Sequence, residues 1–236
     1  MAYEVKLLAS FGTGEPWVAR VVIALPELLD ATPLEPESKE EARRAIGLIH
    51  EELGMASQTL RDVERLAAQP SAAELELLRA YTDLYDHLWR AYKDRFPKLA
   101  CALGYDIGFL FQKQATFEAR LEQFVAENPG LPADFAAMLA RGRASWQNGL
   151  ALFRNEVLQH RHVVDPRLVR VLLRPDSART VFDNVWQAIE DIATCFISLA
   201  LPPIVALDQI PERDRDTSCP RRFRLALTAP IGESTQ

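Results

Sequence analysis

Apolar positions recur at intervals of three and four residues through most of the chain, the spacing that places side chains on one face of an α-helix. These stripes predict helices over 15–31, 38–69, 71–96, 99–127 and 177–201, and another that starts near Pro132 and runs past Phe153. Ser38 with Glu41 three residues later is typical of a capping box at a helix start. Pro70 and Pro97 predict breaks in the helical path.

The two ends of the chain have a different pattern, in which apolar and polar residues nearly alternate. Tyr3–Ser10 and Arg222–Ala229 can pair as a two-stranded β-ribbon, with a helix as the alternative for the first of them. Residues 202–220 are rich in Pro, Asp and Arg and predict a surface loop. We therefore predict a mainly α fold: a bundle of five or six helices in one domain, 1–236, with its core at 38–201 and a short terminal ribbon.

Composition and charge exclude some classes of protein but do not identify the function. The 236 residues are 48% hydrophobic and 25% charged, and the net charge of −6 gives no overall attraction to nucleic acid or anionic membranes. No apolar run of about 18 residues predicts a membrane span, and the N-terminus lacks the features of a secretory signal. The three cysteines, Cys101, Cys195 and Cys219, are too far apart to predict a disulfide framework or a zinc cluster. A cytoplasmic location is the resulting expectation.

The helix that starts near Pro132 carries a polar segment at its far end, FRNEVLQHRH at 153–162. If its apolar stripe continues with unbroken spacing, His160 lies on the apolar face and Arg154 borders that face. Asn155 and His162 then share a wetter face. Burial lowers the pKa of a histidine and leaves a neutral imidazole that can act as a base. The alternative is a structural histidine that hydrogen-bonds within the core.

Positive charge concentrates around the same segment. Residues 132–174 contain seven arginines and three acids, a net charge of +4 in a chain that is negative overall. Guanidinium groups bind phosphate through two parallel hydrogen bonds, which suits an RNA backbone. The candidate RNA-binding residues after the motif are Arg161, His162, Arg167 and Arg170. The alternative is a solvated charged face, because the whole chain prefers arginine, with 22 Arg against 5 Lys.

The segment resembles the motif of the HEPN superfamily, an arginine followed by a polar residue and, after four to six intervening residues, a histidine. Arg154, Asn155 and His160 fit these positions. The resemblance implies an all-helical homodimer whose paired motifs line one cleft. In active members that cleft is a metal-independent endoribonuclease site, found in toxin–antitoxin and phage-defence systems. It implies His160 as general acid or base, Arg154 as the group that stabilises the phosphate, and Asn155 as an orienting residue.

The spacing of five residues between Arg154 and His160 puts them at different angles around a regular helix. A shared site then requires a helix end near His160 or a contribution from the partner protomer. His162 lies beyond the usual motif spacing and is assigned an auxiliary role. The resemblance also implies RNA and an antitoxin or other defence protein as partners.

Metal chemistry and a purely structural role are the other possibilities. No Glu-x-x-His occurs in the sequence, so a di-metal carboxylate site is not expected. A mononuclear site from His50, His87 and His160 is the remaining metal alternative, but both His50 and His87 fall beside their apolar stripes. We expect no metal and no other cofactor. The competing function is a non-catalytic helical module that dimerises or binds a partner, with His160 buried.

Overall fold

The computed structural model describes residues 4–5, 15–69, 74–153, 175–210 and 223–227. Within these ranges, six continuous helical stretches form a bundle, and a small antiparallel sheet lies beside it. The α-helices are α1 (Leu25–Asp30), α2 (Pro36–Ala67), α3 (Glu74–Trp89), α4 (Phe96–Ala102), α5 (Gln114–Glu127), α6 (Phe135–Gly142), α7 (Asn148–Phe153) and α8 (Pro175–Ala200). The predicted mainly α fold with a short β-ribbon is confirmed.

π-Helical turns join several of these helices into longer ones. π-Helical turns over Val18–Ala24, Arg90–Arg95 and Arg143–Gln147 lead without a break into α1, α4 and α7. A short 3₁₀ helix, Gly108–Phe111, precedes α5. Gly104 follows α4 with a φ of +91°, a backbone conformation that strongly favours glycine.

The long helix α2 is the centre of the bundle. Its apolar stripe is completely buried and contacts α3, α4 and α8. The buried residues of the described helices form one connected apolar cluster, which Leu225 of the sheet joins. Large side chains that are fully buried, such as Trp186, Tyr92 and Phe96, fill its interior. Burial of these apolar side chains holds the helices together, since each helix alone is only marginally stable in water.

The predicted break at Pro97 is wrong, because the helical path continues from α3 through the π-turn into α4. In that turn the Phe96 N–H donates to the carbonyl of Ala91, five residues back. Proline has no N–H to donate and clashes with the preceding turn of a regular α-helix. A wider turn immediately before the ring accommodates both effects. Pro26 likewise follows a π-helical turn, at the start of α1.

The predicted capping box at Ser38 is also wrong. Helix α2 begins two residues earlier, at Pro36, and the side chain of the N-cap residue Glu35 makes no capping hydrogen bond. Proline in the first helical turn needs no hydrogen-bond acceptor, and its ring fixes φ near the helical value. The Glu35-Pro36 sequence therefore starts the helix without the reciprocal hydrogen bonds of a capping box.

The sheet contains the predicted ribbon and one further strand. Strand β1 (Glu4–Val5) pairs antiparallel with β3 (Phe223–Leu227), which joins the two ends of the chain. The prediction that 202–220 is entirely a loop is wrong, because Val205–Gln209 forms strand β2. It pairs with the whole length of β3, from Val205 opposite Leu227 to Gln209 opposite Phe223. The strand order is therefore β1-β3-β2.

No helix in the described part of the chain is both long enough and apolar enough to cross a membrane.

Candidate functional site

The predicted site residues all follow Phe153, the last described residue of helix α7. Arg154, Asn155, His160, Arg161, His162, Arg167 and Arg170 lie outside the described residues, so their predicted roles stay predictions. The described part of helix α7 runs to Phe153, the residue immediately before Arg154. The described structure therefore shows how the helix that leads into the motif is held. We call residues 135–153, which comprise α6, the π-turn and α7, the motif helix.

Arg143 anchors the motif helix to the turn before α5. Its side chain is only 7% exposed. The guanidinium donates to Gln114 Oε1 at 2.8 Å, to the Leu110 carbonyl at 3.0 Å and to the Gln112 carbonyl at 2.5 Å. Burial lowers the pKa of Arg143, although Tyr92 and then Glu118 act in the opposite direction. Arg143 is thus committed to structure, whereas Arg141, two residues earlier, is exposed.

Further contacts at the π-turn strengthen this anchor. The carbon at the centre of the Arg143 guanidinium lies 4.4 Å from the centroid of the Phe117 ring, a cation–π contact. The Gln147 amide, which is also buried, donates to the same Leu110 carbonyl that Arg143 contacts. Two polar side chains one helical turn apart therefore fix the motif helix to the 3₁₀ helix Gly108–Phe111.

The π-turn also shifts the buried face of the motif helix. Regular spacing predicts that Gly149 continues the apolar stripe of Phe135, Leu139 and Trp146, but Gly149 is exposed and Leu150 is completely buried. A π-turn takes up extra residues per turn, so the residues after it are rotated relative to regular α spacing. The prediction that His160 lies on the apolar face assumes this regular spacing. The spacing already fails at Gly149, so that part of the prediction is wrong.

A groove of about 120 Å³ runs between the motif helix and α8. Its polar groups come from Gln147, Asn184, Gln187 and Asp191, and we call it the amide groove. The rings of Tyr92 and Trp146 lie 4.9 Å apart edge to face and form part of its lining. The remaining lining residues are Met138, Leu139, Gly142, Ala188 and Ile192.

The amide groove is the feature that sequence reasoning missed. The apolar stripe over 177–201 predicts a helix there but says nothing about a polar row on it. Asn184, Gln187 and Asp191 are spaced three and four residues apart, which places them in one row on α8. That polar row was visible in the sequence, but nothing showed that the motif helix lies opposite it.

A second polar cluster joins α2 to α3 and to the π-turn after α3. Glu52 is only 7% exposed, and its two carboxylate oxygens have different partners. Oε2 accepts from His87 Nδ1 at 2.9 Å, and Oε1 accepts from Arg95 Nη2 at 3.0 Å. Both contacts satisfy a carboxylate that would be costly to bury alone. His87 therefore belongs to a structural hydrogen-bonded cluster around Glu52.

The structure does not bring together His50 and His87, the two described histidines of the alternative mononuclear metal site. His87 is bound to Glu52, and the His50 ring instead packs against Trp17, with the ring centroids 5.6 Å apart. His160 lies outside the described residues. Across the described ranges, no three His, Cys, Asp or Glu side chains are grouped so that they could hold a metal ion.

Comparison with known proteins adds no relative: no family model, no curated protein and no solved structure matches this chain.

Proposed function

We propose that this protein is a HEPN-like, RNA-directed protein that acts as a homodimeric, metal-independent endoribonuclease. One observation carries the proposal: the Arg154-x5-His160 motif directly follows a firmly anchored helix of an all-helical bundle. The anchoring by Arg143 and Gln147 supports it, because a catalytic pair requires a rigid supporting element. A toxin or phage-defence role, with a cognate partner protein and a cytoplasmic location, belongs to the same proposal.

In the proposed mechanism, the attacking group is the ribose 2′-hydroxyl next to the scissile phosphate. His160 takes the proton of that hydroxyl in its neutral form, or protonates the leaving oxygen in its protonated form. Arg154 stabilises the negative charge that develops on the phosphate oxygens in the transition state. Asn155 orients one of these two groups. Arg161, His162, Arg167 and Arg170 bind the flanking RNA backbone and make the affinity depend on salt.

The decisive experiment is RNA cleavage in the presence of EDTA. The wild type is compared with His160→Ala and Arg154→Ala, and with Arg141→Ala as a matched control from the same arginine-rich region. We expect both motif variants to lose at least about 100-fold in rate, the lower range of general acid–base and electrostatic contributions, while the control keeps full activity. Thermal unfolding establishes that each variant is folded.

Two further measurements test the homodimer. Light scattering should give a mass of twice 26.6 kDa. If one site combines Arg154 and His160 from different protomers, mixing the two inactive variants should restore part of the activity in heterodimers. If both residues act from one protomer, mixing restores nothing. Absence of cleavage by the wild type on several RNAs would favour the non-catalytic interaction module.

A further inference from the structure

We draw no further inference here: the strongest candidate, the cavity of about 300 Å³ between the turn after α4 and helix α5, is lined by exposed polar side chains, of which Asp106, Arg120 and Glu127 already hydrogen-bond within the protein, so nothing in the described part of the chain shows what would bind there.

Discussion

At the scale of single residues, Arg143 shows that a charged side chain can serve as a core contact. Its positive charge is partly offset by the Phe117 ring and by carbonyl oxygens, which are strong acceptors for a guanidinium. The bundle tolerates the buried Arg143 guanidinium only because its N–H donors have acceptors within hydrogen-bonding distance. Removing it would leave the Gln112 carbonyl without this donor.

We expect Arg143→Met to lower the free energy of unfolding by about 2–4 kcal/mol, because it deletes three hydrogen bonds from a charged donor and the cation–π contact with Phe117. Arg141→Met is the matched control, since Arg141 is exposed on the same helix, and it should change stability by less than about 0.5 kcal/mol. Urea unfolding at neutral pH measures both. Equal effects of the two variants would contradict the anchoring role.

Two buried tyrosines predict a loss of stability at high pH. Burial raises the pKa of Tyr81 and Tyr92 above the usual value of about 10, and for Tyr81 the neighbouring Tyr85 and Asp176 add to the effect. Above about pH 10 the unfolded chain releases protons that the folded chain keeps. The stability that these groups contribute is therefore complete below pH 10 and falls as the pH rises further.

Tyr81→Phe isolates one of these two groups. The substitution keeps the ring and removes a buried hydroxyl that has no hydrogen-bond partner in the described part of the chain. Urea unfolding between pH 8 and pH 11 should therefore show a shallower decline above pH 10 for Tyr81→Phe, by up to about 1.4 kcal/mol per pH unit. The same slope for variant and wild type would show that Tyr81 titrates alike in both states.

At the scale of elements, a buried ion pair connects the first helical stretch to α8. Arg20 lies in the π-turn Val18–Ala24 and is 2% exposed, and its Nη1 is 3.7 Å from Glu190 Oε2. The Arg20 guanidinium also lies 5.8 Å from the Trp186 ring centroid. A buried pair of this kind contributes little net stability, but either charge without the other is costly.

A double-mutant cycle tests this connection. We expect Arg20→Met and Glu190→Leu each to destabilise the protein by about 3–5 kcal/mol, since each breaks the contact of Arg20 with Glu190 while the other charge stays buried. The double variant should be more stable than the sum of the single effects implies, because both charges are gone. Additive effects would mean that the two side chains are not energetically coupled.

At the scale of the whole molecule, the connected apolar cluster predicts cooperative unfolding. The cluster contains residues from every helix of the described part, and Leu225 brings the sheet into it. A single domain of this kind should unfold in one transition. Far-UV and near-UV circular dichroism should therefore give the same melting temperature. Two separate transitions would contradict the prediction of one domain over 1–236.

Much of the architecture is predictable from local pattern alone. The stripe from Ala42 to Val63 specifies α2 because side chains three and four residues apart necessarily share one helical face. The terminal ribbon follows from near alternation at Tyr3–Ser10 and Arg222–Ala229 in the same way. These features depend on residues close in sequence, so no knowledge of the tertiary structure is needed. The Arg154-x5-His160 motif, and the function proposed from it, also depend on sequence alone.

Other features depend on which distant residues meet. The apolar pattern of Val205–Gln209 is too short to outweigh its Pro-rich surroundings, and its hydrogen-bond partners lie on the distant strand β3. The π-turn that exposes Gly149 forms where Arg143 reaches the carbonyls of Leu110 and Gln112, more than 30 residues away. The amide groove likewise exists only because α8 packs along the motif helix. Such contacts join residues that are far apart in the sequence, and their separation in the sequence does not predict their distance in the structure.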